Sequence, residues 1–154
     1  MKLSLVACSL VMLFVSSVPG CKKDETTQPP DHPATCNFTT NVVVVDGVSK
    51  NIIRVNNTEF LVDTSALASG VAMLFTTALP DPGEYAVIDD AASVTTGKVY
   101  VEFYDSSSAW HGTTGTVTVT ATAGGAQRVI AFCNLALTAG PSDNKTVSLR
   151  GTTN

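Results

Sequence analysis

Alternation of apolar and polar residues with a period of two is the feature that most limits what this chain can fold into. Across 116–122, Val117, Val119 and Ala121 face one way, and Thr116, Thr118, Thr120 and Thr122 face the other. Across 98–104, Val99, Val101 and Phe103 oppose Tyr100, Glu102 and Tyr104, and across 146–149, Val147 and Leu149 oppose Thr146 and Ser148. Successive side chains of a strand point to opposite faces, so this pattern buries one face of a sheet and wets the other. A slip of one residue would turn each apolar set to water, so register is strongly specified. No segment of the body repeats apolar residues at helical spacing.

Further strands are expected at 41–45, 52–55, 58–62, 71–77, 84–88 and 128–138. Turn chemistry separates them. Asp46-Gly47, Asn56-Asn57, Gly124-Gly125 and the run Gly140-Pro141-Ser142-Asp143-Asn144 tolerate the required backbone angles. In Asp81-Pro82-Gly83, proline fixes φ and glycine accepts positive φ. The segment 128–138 is apolar on both parities: Ile130, Phe132 and Ala136 alternate with Val129, Ala131, Leu135 and Leu137. That reads as a central strand covered on each side. Asp63-Thr64-Ser65 could cap one helical turn over 66–69. The expectation is an all-β domain, an antiparallel β-sandwich of about eight to nine short strands, with a small β-barrel as the alternative.

The first 20 residues have a different character. Lys2 precedes an apolar run over 3–15, and Ser16, Ser17, Val18, Pro19 and Gly20 lead to Cys21. The run has the length of a signal-peptide core and is short for a membrane span. Val18-Pro19-Gly20-Cys21 resembles a lipobox, with an aliphatic residue three before the cysteine and a small one beside it. Cys21 would then supply the sulfur that carries the lipid, and Cys8 would leave with the leader. Lys22-Lys23-Asp24-Glu25 resembles the short charged signal that directs Bacteroidota lipoproteins to the outer face. Residues 1–20 are thus expected to be a lipoprotein signal peptide, 21–35 a Pro-rich tether that includes His32, and 36–154 a single all-β domain. Outer-membrane attachment through lipid on Cys21, at the cell surface, is the expected location.

The body carries Gly83-Glu84-Tyr85, the run Gly115-Thr116-Val117-Thr118-Val119-Thr120, and an ending with Phe132 in a hairpin that closes on Leu149-Arg150-Gly151. In these landmarks it resembles a family of small Bacteroidota surface lipoproteins of unknown function. The resemblance implies an all-β surface lipoprotein and brings no catalytic residues.

Charge narrows the partners. The chain has 9 Lys and Arg against 13 Asp and Glu, a net −4. Losing Lys2 with the leader makes the mature chain more acidic still. Nucleic-acid binding needs clustered cations that release counterions from phosphate, and this acidic balance argues against it. Cys36 and Cys133 are the pair left after lipidation, and outside the cytoplasm an even pair reads as one disulfide. Two cysteines without further ligands do not complete a zinc site, and no calcium loop is present, so no metal or cofactor is expected. The three Asn-x-Thr sites, at Asn37, Asn56 and Asn144, read as turns rather than acceptors.

The densest polar stretch is Asp105-Ser106-Ser107-Ser108-Ala109-Trp110-His111-Gly112. It holds Ser, His and Asp, but no Gly-x-Ser-x-Gly elbow, so it reads as a loop between strands. Trp110 and His111, with Tyr100 and Tyr104 on the preceding strand, are the candidate contacts for a sugar or a partner's side chains. The expected role is therefore a non-enzymatic binding or structural module for a protein or glycan partner. A small envelope hydrolase would need His111 bonded to a serine or carboxylate in a concavity. A carrier of a lipid or apolar ligand would need an unfilled interior.

Overall fold

The structure, a computed structural model, describes residues 39–63 and 69–154. The leader, Cys21, the tether, Cys36 and the expected turn after Asp63 lie outside the described residues. The domain is all-β. Its strands are β1 (Val42–Val45), β2 (Val48–Asn51), β3 (Arg54–Asn56), β4 (Glu59–Asp63), β5 (Ser69–Leu74), β6 (Gly83–Ile88), β7 (Lys98–Tyr104), β8 (Ala109–Gly112), β9 (Thr116–Ala121), β10 (Arg128–Gly140) and β11 (Asp143–Thr152).

Eleven strands replace the expected eight or nine for two reasons. The first is β2, whose four residues are all exposed and show no alternation to read. It is an edge strand, paired only to β1, and Lys50 on it discourages further pairing. The Asp46-Gly47 turn that makes it has φ of 48° and 81°, the positive values a two-residue hairpin requires. The second is β8, which lies in the stretch expected to be a loop.

The strand order is β2-β1-β11-β10-β9-β6-β7-β5-β4-β3, with β8 bonded to both β10 and β7. Hydrogen bonds therefore close a ring through β10, β9, β6, β7 and β8. Flanking wings continue from it through β11 to β2 and through β5 to β3. The wings face each other: the backbone of Gly151 on β11 abuts the ring of Phe60 on β4. The sheet thus closes through β8 into a barrel-like ring, while β2 and β3 stand at its two ends, each paired to one neighbour.

One pair departs from the antiparallel expectation. β6 and β7 run parallel, with Ala86 opposite Lys98 and Ile88 opposite Tyr100. Only the end of β6 meets the start of β7, so a short link suffices. That link contains a single 3-10 turn at Ala91–Ser93. Asp90 caps it, accepting bonds from the Ala92 N–H at 2.9 Å and the Ser93 hydroxyl at 2.7 Å.

β10 also corrects the sequence reading. It is not covered on both faces. Ile130, Phe132, Leu135 and Leu137 all reach the core, although their spacing breaks parity. The register shifts between Phe132 and Leu135, and Asn134 adopts φ of 50°. This bulge adds a residue and turns the second half of the strand over. The Asn134 N–H, freed from the ladder, donates to the Ser148 hydroxyl at 2.7 Å. Before the bulge β10 pairs with β9, and after it with β8.

Valine, leucine, isoleucine and phenylalanine fill the interior. Val43, Phe60, Val71, Val99, Val101, Val117, Ile130, Val147 and Leu149 are fully buried. Side chains of Val87, Val99, Val117 and Leu135 occupy the ring itself, where an apolar ligand would otherwise sit.

Candidate binding face

Alternation on β7 directs Val99, Val101 and Phe103 inward and leaves Tyr100, Glu102 and Tyr104 half-buried on the outer face. β8 continues the pattern: Trp110 and Gly112 point in and His111 points out. Cross-strand register then builds the face in rows. His111 lies opposite Thr138 on β10 and Glu102 on β7, Glu102 opposite Ala72 on β5, and Ala72 opposite Glu59 on β4.

Tyr100 and His111 stack, with ring centroids 6.4 Å apart and planes 15° from parallel. The Tyr100 hydroxyl donates to Glu102 Oε2 at 3.0 Å, and the Tyr104 hydroxyl donates to Glu59 Oε1 at 2.6 Å. Burial first, and then the bond to Glu102, push the Tyr100 phenol up to about 12. Tyr104 is pushed up by burial and by its bond to Glu59. A phenol raised on folding favours the fold while it stays protonated. Its contribution is complete below the unfolded value of about 10 and is lost as pH climbs toward the folded value. Alkaline titration followed by phenolate absorbance is therefore expected to show two late-ionising tyrosines. Tyr100→Phe should remove one of them. Ionisation of all tyrosines in a single step near the ordinary value would contradict these bonds.

Trp110 does not belong to this face. It is 4% exposed and packs in the core beside Phe103, ring centroids 5.7 Å apart. Its Nε1–H donates to Asp143 Oδ1 at 2.8 Å, and Lys145 Nζ lies 4.6 Å from its ring centroid. The expectation of a surface contact is corrected for this residue. A strand, not a loop, carries it, and on that strand the alternating direction turns tryptophan in and histidine out.

Asp105 is occupied within its own hairpin. Its Oδ1 accepts the N–H of Ser107 at 2.9 Å, the hydroxyl of Ser107 at 2.7 Å and the N–H of Ser108 at 3.1 Å. The two Ser107 bonds hold its carboxyl below the usual carboxylate range. This is an Asx turn that shapes the β7–β8 hairpin. Asp105 does not orient His111, whose ring contact is with Tyr100. Among the described residues no group of three His, Cys, Asp or Glu is placed to hold a metal ion.

Beside His111 lies an open groove of about 470 Å³, lined by Thr113, Ala136, Leu137, Thr138, Pro141 and Asn144 among others. A second, more polar one of about 830 Å³ lies between β3 and the end of β11, lined by Asn41, Arg54 and Thr152 among others. There the Asn154 side-chain amide donates to the Val55 carbonyl at 2.6 Å.

No family model, curated protein or solved structure matches the chain. The face is therefore read from its own chemistry. Tyr100, Tyr104 and His111 lie on one outer face, with His111 on a strand rather than in the expected loop. Sequence reading missed Glu59, because the Tyr104–Glu59 bond spans 45 residues. It missed Thr138 and Asn144 for the same reason. Cys133 lies half-buried on β10 next to the bulge, and its side chain has a bonding partner.

Proposed function

We propose that the chain is an exported bacterial lipoprotein, cut before Cys21 and held on the outer membrane by lipid on that cysteine. Its all-β domain serves as a non-enzymatic binding or structural module, presented at the cell surface to a protein or glycan partner. The observation that carries the binding role is the solvent-facing strip of Tyr100, His111, Glu102 and Tyr104, ordered by cross-strand register and continuous with a groove. Ordered aromatic side chains on a rigid sheet make contact area at small entropic cost.

Anchoring follows from the lipobox. Each buried methylene contributes about 0.8 kcal/mol, and one acyl chain alone binds marginally. Two or three chains on one cysteine hold the protein on the bilayer. A Cys36–Cys133 disulfide would fasten the start of the domain to β10. In the chain-entropy model, a bridge closing so long a loop contributes at most about 4–5 kcal/mol. The carrier alternative is disfavoured by the side chains that fill the ring. The hydrolase alternative is disfavoured by the commitment of Asp105 to its own turn.

Metabolic labelling with palmitate and membrane fractionation test the anchor. Wild type is expected to be labelled and sedimented, and Cys21→Ala to be unlabelled and soluble. A Cys21→Ala variant that stays with the membrane defeats the proposal. Intact mass of the mature protein under non-reducing alkylation should show no free thiol, and two alkylated thiols would remove the disulfide. For binding, cross-linking in the native envelope should give a partner that is lost on Tyr100→Ala and retained on Leu79→Ser, a change at an exposed leucine in the β5–β6 loop. Equal capture by both variants would count against this face.

A further inference from the structure

We propose that the groove between β8 and the β10–β11 hairpin is a site for a neutral saccharide unit, with the His111 ring as its stacking wall. The inference rests on the binding role proposed above and names the ligand class for that face.

The lining carries no Asp, Glu, Lys or Arg. A phosphate or carboxylate would need a cationic partner here, and an ammonium would need an anionic one. An uncharged ligand needs neither. Its volume lies in the range of small-ligand sites, about 300–1,000 Å³. Ala136, Leu137 and Pro141 give apolar wall, while His111, Thr113 and Asn144 supply imidazole, hydroxyl and amide groups. That mixture matches a pyranose, which has an apolar C–H face and a rim of hydroxyls.

The placement of His111 decides the orientation. β8 sits between β7 and β10, so His111 sits between Tyr100 and the groove. Tyr100 covers one side of the imidazole. Thr138 lies opposite His111 on β10, and both line the groove. Tyr100 thereby fixes the plane against which a sugar ring would lie.

Thr138 shapes the floor. Its hydroxyl donates to the Gly140 carbonyl at 2.7 Å and accepts from the Gly140 N–H at 3.1 Å. This leaves Thr113, Asn144 and His111 as the side chains that meet ligand hydroxyls. An extended peptide is the less suitable occupant. It would need a free sheet edge for main-chain bonds. Here β10 is already paired on both sides, to β8 through Leu137 and Thr138 and to β11 through Lys145 and Asn144.

The test is an array binding assay with the full chain in detergent. It should carry neutral hexose and N-acetylhexosamine oligosaccharides, uronic-acid oligosaccharides, and basic and acidic peptides. Binding confined to neutral oligosaccharides is expected. His111→Ala should weaken it by about tenfold or more, while His111→Phe, which keeps a flat ring, should retain it within a few-fold. Asn144→Ala should weaken it by a smaller factor, and Leu79→Ser should leave it unchanged. Thermal unfolding of each variant confirms that it is folded. Preference for a charged probe, absence of saccharide binding, or equal binding by folded His111→Ala would each overturn the inference. If the array stays blank while cross-linking through Tyr100 still captures an envelope protein, the saccharide is wrong and the binding role stands. Failure of both assays removes the two together.

Discussion

Replacing Trp110 by alanine should destabilise the domain by about 3–5 kcal/mol, the range for removing a large buried aromatic side chain. Trp110 fills the end of the core next to Phe103 and is the point where three elements meet. Its N–H binds Asp143 at the start of β11, and Lys145 lies against its ring. Lys145 in turn forms an ion pair with Asp46 in the β1–β2 turn, N to O 3.5 Å. Alanine would leave a cavity under β8 and release the hairpin that carries His111. Trp110→Phe should recover most of the packing and lose only the bond to Asp143, at about 1–3 kcal/mol. Urea unfolding measures both. A Trp110→Ala midpoint within about 1 kcal/mol of wild type would show that the tryptophan is not the core plug described here. Saccharide binding by Trp110→Ala should fall only as far as the hairpin loosens, because the indole does not reach the groove.

Gly151→Val is expected to be comparably damaging, for the opposite reason. A Cβ on Gly151 would lie 2.6 Å from Phe60 Cδ1 and 3.0 Å from Ile52 Cδ1. Phe60 is fully buried, so its ring has nowhere to move. Overpacking of this kind costs about 1–3 kcal/mol and more where the neighbour is rigid, and valine adds two further carbons to the overlap. The separation of the facing wings is set at this point by a glycine against a phenylalanine. Phe60→Leu should therefore be destabilising in the wild type but should partly rescue Gly151→Val. A double-mutant cycle on unfolding free energies reads that coupling. Additive losses would mean that the wings do not meet at Gly151 and Phe60.

Alternation alone determined a good part of this protein. β7 and β9 were legible because their polar and apolar residues take turns without exception, and the sheet does no more than obey that pattern. Turn dipeptides such as Asp46-Gly47 were legible because few residues accept positive φ. Local sequence could not show β2, whose exposed edge needs no alternation, nor the parallel pairing of β6 with β7, which depends on where a distant strand already lies. It could not show the sense of the second half of β10 either. Asn134 turns it over, and a bulge is stabilised by what stands opposite, here Ser148 on β11. Tyr100 and Tyr104 were legible as outward residues of β7, while His111 was expected on a loop beside them and lies on β8 instead. Whether Trp110 joined them depended on tertiary structure. The residue belongs to a strand, and a strand must point consecutive side chains to opposite faces, so the core took the tryptophan and solvent was left the histidine.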